Sequence, residues 1–216
     1  RLQRLSPEGV QARIDAEAVV VFEGAQGVLL DQTWGFHPHT TWSDTTCAGA
    51  LDLAGPRRVR RLGVTRAYTC RHGPGPFPTA GSLPIPENHN GDDGFQGRFR
   101  TGALDGVLLG YATDVCPVDG VALTCLDRVA DPLGCARYAE VGPPALIDGT
   151  RLIPGAPQDL SHRERLGAWL RTVAPEITAC DPIQLTQAAT GTPVWLCSRS
   201  PTAAGKTWTG ESGAPR

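Results

Sequence analysis

Val19-Val20-Val21-Phe22-Glu23-Gly24-Ala25-Gln26-Gly27-Val28-Leu29-Leu30-Asp31 places a run of β-branched and aromatic residues directly before a glycine-bracketed Glu and Gln. The run predicts a strand over Val19–Phe22 buried on both faces, the pattern of a parallel sheet. Gly24 and Gly27 let the backbone turn sharply and approach a ligand. Gln26 then falls at the carboxyl end of the strand, where open α/β sheets bind ligands. Its amide carries donors and an acceptor together, which suits the edge of a nucleobase. A tight strand-exit loop with no ligand accounts for the same residues equally well.

On the N-terminal side, Ser6-Pro7-Glu8 followed by Gln11 predicts a helix start, the helix ending before Val19. On the C-terminal side a Gly/Thr-rich ligand loop runs to Asp44, a helix begins within 45–54, and a strand lies within 62–70. Residues 73–86 hold too much Gly and Pro for regular structure. The polar tract 86–97 reads as a loop, either closing over a ligand or forming plain surface. Val107, Leu108, Tyr111 and Ala112 recur at helical spacing and predict a helix ending near Val115. Buried strands are expected at 120–126 and 133–138, and the last at 193–197. Ser161-His162-Arg163-Glu164 is expected to cap an amphipathic helix through Val173, with Leu166, Leu170 and Val173 on one face and arginines on the other. Strands alternating with helices predict an α/β fold with a mainly parallel sheet and flanking helices. One domain over 1–216 is expected, with a loose tail at 203–216.

The 216 residues suffice to bury a sizeable core. The net charge of −2 gives no reason to expect nucleic acid or an anionic membrane as partner. No apolar run approaches transmembrane length and the N-terminus is unlike a signal peptide, so a cytoplasmic protein is expected. Met is absent even at position 1, which predicts a processed or partial chain. Seven Cys make an odd number with no Cys-x-x-Cys pair, and most are expected to be reduced core residues. His37-Pro38-His39 is not taken as a metal pair, because proline fixes the backbone between the two and no third ligand lies nearby. Gly205-Lys206-Thr207 ends like a phosphate loop, yet Ser200 stands where the first glycine belongs and no helix is expected to follow.

The opening segment has companions. Gly35-Phe36-His37-Pro38-His39-Thr40-Thr41-Trp42-Ser43-Asp44-Thr45-Thr46 continues it, followed by Ala67-Tyr68-Thr69-Cys70-Arg71-His72-Gly73-Pro74-Gly75-Pro76-Phe77-Pro78-Thr79 and Arg98-Phe99-Arg100-Thr101-Gly102-Ala103-Leu104-Asp105. In this order and spacing, from about Ala18 to Asp127, the segments resemble the adenylosuccinate synthetase family, ligases that join aspartate to inosine monophosphate (IMP) using GTP. The resemblance implies a three-layer architecture like that of the phosphate-loop NTPases, here lacking its N-terminal phosphate-loop portion. It also implies GTP as co-substrate, Mg2+, and a homodimer.

Carried over residue by residue, Gln26 matches the glutamine that contacts the hypoxanthine base and Thr41 a threonine at the nucleotide phosphate. His72 and Gly73 fall at the ribose contacts, although a valine is more usual at His72; Arg71 and His72 as a structural pair is the alternative. Arg98 and Arg100 match the arginines that grip the carboxylates of aspartate, a task that suits the bidentate guanidinium fork. Two solvated arginines in a polar loop is the alternative there. Thr124-Cys125-Leu126-Asp127 resembles the family's Thr-Lys-Leu-Asp, with Asp127 as acceptor for a guanine edge and Cys125 in place of the lysine. Ser198 and Pro201 match the last guanine-binding loop, in which Ser200 replaces a glycine.

Phe95 and Gln96 replace two threonines before the arginine loop, which is also one residue shorter. The family's general-base aspartate, phosphate-contacting lysine and catalytic histidine lie nowhere in the 216 residues, so no catalytic residue is assigned and the missing half is expected upstream of Arg1. Phosphoryl transfer depends on positioning and charge stabilisation, so these residues alone are expected to bind without turning over. A paralogous ligase for another amine or purine analogue, and a non-catalytic purine nucleotide-binding module, are the alternatives.

Overall fold

The computed structural model describes residues 5–86, 90–91 and 94–210. In chain order its elements are α1 (Pro7–Ala16), α2 (Ala48–Ala54), β1 (Leu62–Arg66), β2 (Thr69–His72), β3 (Phe99–Gly102), β4 (Leu104–Asp105), α3 (Gly106–Val115), β5 (Gly120–Thr124), β6 (Leu133–Tyr138), β7 (Ile147–Asp148), β8 (Arg151–Leu152), α4 (Leu160–Trp169), β9 (Pro175–Ala179), α5 (Pro182–Thr190), β10 (Val194–Ser198) and β11 (Lys206–Trp208). β1, β5 and β10 run parallel, with β5 central, and β11 pairs antiparallel to β10 at the rim. A second sheet pairs β4 parallel and β9 antiparallel to β6. β2 and β3 form an antiparallel ribbon between them, and β7 and β8 a short hairpin.

β5 is central because Val121, Ala122 and Leu123 are apolar on both faces, which suits a strand covered from both sides. At its start Gly120 is required: a Cβ there would meet Trp195 of the neighbouring strand at 2.0 Å. One apolar cluster joins Val121, Leu123, Val194 and Cys197 to Ala67 and Tyr68. A larger one gathers Phe36, Leu108, Tyr111, Cys135, Leu166 and Leu170 between α3, β6 and α4. Each large side chain so buried contributes roughly 1.5–3 kcal/mol.

The helices carry their own start and stop signals. Asp105 accepts from the Leu108 N–H at the start of α3, and Asp159 from His162 N–H at the start of α4. Asp181 caps α5 with Pro182 in its first turn, and Gly191 closes it in the left-handed conformation at φ +65°.

Four expectations change. The strand expected over Val19–Phe22 is irregular chain, and Val21 is 84% exposed. A strand exists only where a neighbour completes its ladder, and none of the four sheets pairs with this segment. The strand expected within 62–70 is two, because the chain leaves the parallel sheet at the buried Ala67 and Tyr68 and enters the ribbon. The expected cap of α4 moves from Ser161 to Asp159. That shift turns Arg163 inward, where it is fully buried, donates to the carbonyls of Ala156 and Asp159, and lies over the Trp34 ring. The stretch 203–216 includes a 3-10 turn and β11, while 211–216, like 87–89 and 92–93 of the expected polar loop, lie outside the described residues. No described helix is long and apolar enough to cross a membrane.

The segment from Gly27 to Thr45 holds one 3-10 turn and is otherwise irregular, so its order comes from side chains. Buried Asp31 is the hub. Its Oδ1 accepts from the N–H groups of Thr33 and Trp34 at 2.8 and 2.9 Å, and its Oδ2 from Thr45 N–H at 2.7 Å. The Thr45 hydroxyl in turn donates to the Gly27 carbonyl at 3.1 Å, closing the loop on itself. Asp31→Ala strips three donors of their acceptor and is expected to lower unfolding stability by on the order of 3 kcal/mol. A urea titration checks this, and an unchanged midpoint would mean that the hub is dispensable.

Asp105 is buried against Tyr138, whose hydroxyl donates to both carboxylate oxygens at 3.2–3.3 Å. Burial pushes its pKa up from 3.8 to about 7, against the lowering effect of hydrogen bonds from Leu108, Tyr138 and Val107. The folded state therefore binds a proton that the unfolded state releases, and stability declines as pH rises from about 4 to about 7. Asp105→Asn keeps the cap and the Tyr138 bond without the proton. Melts at about pH 5 and about pH 8 are expected to show a smaller loss for the variant than for the wild type; equal losses would remove Asp105 as the source.

Candidate functional site

The carboxyl ends of β1, β5 and β10 lie side by side, with Arg66 opposite Thr124 and Cys197 opposite Leu123. Ligands of open α/β sheets bind at that edge. Beyond β5 the chain passes through Cys125, which adopts a left-handed φ of 58°, into a 3-10 turn that exposes Asp127. Beyond β10, Ser198 is buried and its hydroxyl donates to the Ser200 carbonyl at 3.3 Å. Pro201 follows at the surface. Asp127 and the Ser198–Pro201 loop are thus neighbours by strand order. Lys206 donates to the carbonyls of Ser200 and Thr202 and belongs to β11, so the lysine of Gly205-Lys206-Thr207 clasps this loop from a strand with no helix behind it.

A second group of residues is gathered by the β2–β3 ribbon, which sets Arg71 opposite Arg100 and His72 opposite Phe99. Arg71 is buried and donates to the carbonyls of Leu29 at 3.4 Å and His39 at 2.7 Å, tying the Gly27–Thr45 loop to the ribbon. Gly75 lies flat against that guanidinium, at a position where a Cβ would come within 2.1 Å of it. Arg100 donates to the carbonyls of Gly73 and Gly75 at 2.6 and 2.7 Å and sits over the Phe77 ring. Burial brings the pKa of Arg71 down to about 10, with the charges of Arg100 and Arg171 adding to the effect.

Thr41 enters this neighbourhood through its N–H, which donates to Leu30 O at 2.7 Å; its hydroxyl lies 3.5 Å from that of Ser43. Gly73 N–H donates to Arg98 O at 3.0 Å, which places the Gly-Pro loop beside the arginine loop. Both ring nitrogens of His72 have partners, Gly97 O at 3.2 Å and Asn90 Oδ1 at 3.1 Å, and the ring packs on Phe99. Gln26 stands just before the Gly27 carbonyl held by Thr45, exposed and at a left-handed φ of 66°, a conformation that turns the chain sharply. Gly73, Arg98 and Arg100 are thus joined by hydrogen bonds, Arg71 ties the loop that carries Thr41 to the same ribbon, and His72 is bound to Gly97 and Asn90. Asp127, Ser198 and Pro201 form their own group at the sheet edge.

Asp31 as the loop hub and the pair His39–Arg171 were absent from the expected set, and Arg71 was in it only as a structural partner of His72. Arg171 Nη2 donates to His39 Nε2 at 2.5 Å across 132 positions, a pairing with no local pattern behind it. Asp31 had a local signal, an acid followed by Gln-Thr-Trp-Gly in a turn. Among the described residues no three His, Cys, Asp or Glu side chains gather as a metal site.

Comparison with known proteins bears on the whole arrangement. The sequence profile of the adenylosuccinate synthetase family matches residues 6–164. The adenylosuccinate synthetase of Colwellia psychrerythraea is 37% identical over 212 residues, covering 88% of this chain and 48% of that protein. That of Sorangium cellulosum is 45% identical over 116 residues, covering 50% of this chain and 27% of that protein. The chain thus spans about half the length of the Colwellia relative. In fold it is similar to fully ligated adenylosuccinate synthetase from Plasmodium falciparum, with TM-score 0.61 at 21% identity over 87% of this chain and 49% of that one. It is similar as well to succinoaminodeoxyadenylate synthetase of cyanophage S-2L bound to dGMP and dATP, with TM-score 0.57 at 16% identity over 95% and 50%. With the profile covering most of the chain and a similar overall fold, the chain belongs to the adenylosuccinate synthetase family.

Proposed function

We propose that this chain supplies the purine-monophosphate and amino-acid sites of an adenylosuccinate synthetase-type C–N ligase, the GTP-dependent condensation of IMP with aspartate. The observation that carries it is the pair Arg71 and Arg100, opposite each other on the ribbon: Arg71 holds the Thr41 loop and Arg100 holds Gly73 and Gly75. Gln26 is to hold the base edge, its amide accepting and donating at once. The Thr41 hydroxyl is to donate to the phosphate. Gly73 lets the backbone approach the ribose, and His72, whose ring is tied to Gly97 and Asn90, fixes the height of that loop. Arg98 and Arg100 are to fork the carboxylates of aspartate, positioning its amino group for attack at the activated base carbon.

At the sheet edge, Asp127 is to accept from the guanine N–H groups of GTP, beside Ser198 and Pro201. GTP and magnesium, a homodimer and a cytoplasmic setting belong to the same reading. A metal-bound triphosphate needs a glycine-rich loop and its lysine, which have no counterpart within these 216 residues, so binding is the activity assigned to them.

A second reading, a different purine or phosphate donor, is favoured by Cys125, since an uncharged thiol stands where the family places a lysine. The cyanophage structure, with dGMP and dATP bound, illustrates that choice in a protein of the same fold.

Calorimetry with IMP and dGMP on the wild type and on Gln26→Ala tests both. Loss of two base hydrogen bonds is expected to weaken IMP binding by about tenfold or more. Equal affinity in wild type and variant would sink the role of Gln26, and a clear preference for dGMP would select the second reading.

A further inference from the structure

We propose that the pocket between the His37–His39 turn and α4 binds a polyatomic oxyanion, a carboxylate or phosphate group, gripped by Arg171 and His39. The pocket has a volume of about 310 Å³ and is lined by His37, Pro38, His39, Glu164, Ala168 and Arg171. Arg171 donates to the His39 ring, and the carbonyl of the same residue takes Arg71 Nη2 at 2.7 Å. Arg71 lies flush with Gly75, whose carbonyl takes Arg100 Nη2 at 2.7 Å. Three guanidinia are thereby collected around two residues. Among the described residues their acceptors are the carbonyls of Leu29, His39, Gly73 and Gly75 and one imidazole nitrogen, none of them charged.

Like charges held this close repel unless an anion joins them. Burial first and neighbouring arginines next lower the pKa values of Arg71 and Arg100. His39 is held below the usual imidazole range by burial and then by Arg171, Arg71, Arg100 and His37, so it stays neutral. Because its Nε2 accepts from Arg171, its single proton sits on Nδ1, a donor for an oxyanion. Arg171 keeps the remaining N–H groups of its fork for the same ligand. The lining contains one carboxylate, Glu164, which lies 3.8 Å from His37. The anion is therefore seated at the Arg171–His39 end.

The cluster stands on its own contacts, and it rests on the proposed carboxylate role of Arg100 only in assigning the anion to a co-substrate. Titration calorimetry of the full chain at low ionic strength, with succinate and with inorganic phosphate in separate arms, tests it. Binding is expected to include a component that is weakened about tenfold in Arg171→Ala, partly restored in Arg171→Lys and strengthened in Glu164→Gln. Tighter succinate binding identifies amino-acid carboxylates as the source, and tighter phosphate binding a nucleotide phosphate. Arg171 and Glu164 are exposed, so unchanged melting temperatures are expected to confirm intact folds. Failure of the wild type to bind either anion, or equal binding by Arg171→Ala, overturns the proposal. IMP binding that still depends on Gln26 would then survive, which keeps the two readings separable.

Discussion

The buried guanidinium of Arg71 is the contact on which the site depends. It reaches back 42 positions to Leu29 and 32 to His39, and it is roofed by Gly75. Without it the Gly27–Thr45 loop and the β2–β3 ribbon would be separate surfaces. A cation taken out of water needs its protons satisfied; backbone carbonyls take one bond from each Nη of Arg71, while its Nε–H is unpartnered and its charge uncompensated. The fold thus stores positive potential at the place where the family resemblance puts anionic substrates. Structure and electrostatics are set by one side chain.

Much of this architecture is legible in the chain itself, for reasons that are local. Gly120–Thr124 and Leu133–Tyr138 announce strands through apolar runs bounded by turn residues, and Asp105 announces α3 by its position before an apolar helical face. The motif segments led to the right family. Long-range choices were hidden. Val19–Phe22 has every residue preference of a buried strand, but preference cannot supply the neighbouring strand that would bury it. Arg163 has the composition of a surface residue and is held in the core by carbonyls on the preceding loop, a contact that depends on a two-residue shift in where α4 begins.

Acid and base groups in the interior divide by how they are satisfied. Asp31 meets backbone amide donors on both oxygens, whereas Asp105 shares its carboxylate with one phenol and a helix start. The first arrangement orders a loop that has little secondary structure of its own. The second lies beneath the helix that supports that loop, because Tyr111 of α3 donates to Trp34 O at 2.6 Å.

That bond joins residues 77 positions apart. Loop-closure entropy opposes contacts of such sequence separation, so the order of the Gly27–Thr45 loop depends on α3 being packed in place to receive it. Damage that loosens the packing beneath α3 reaches this loop through the Tyr111–Trp34 bond, whereas the parallel strands β1, β5 and β10 are held by their own ladder.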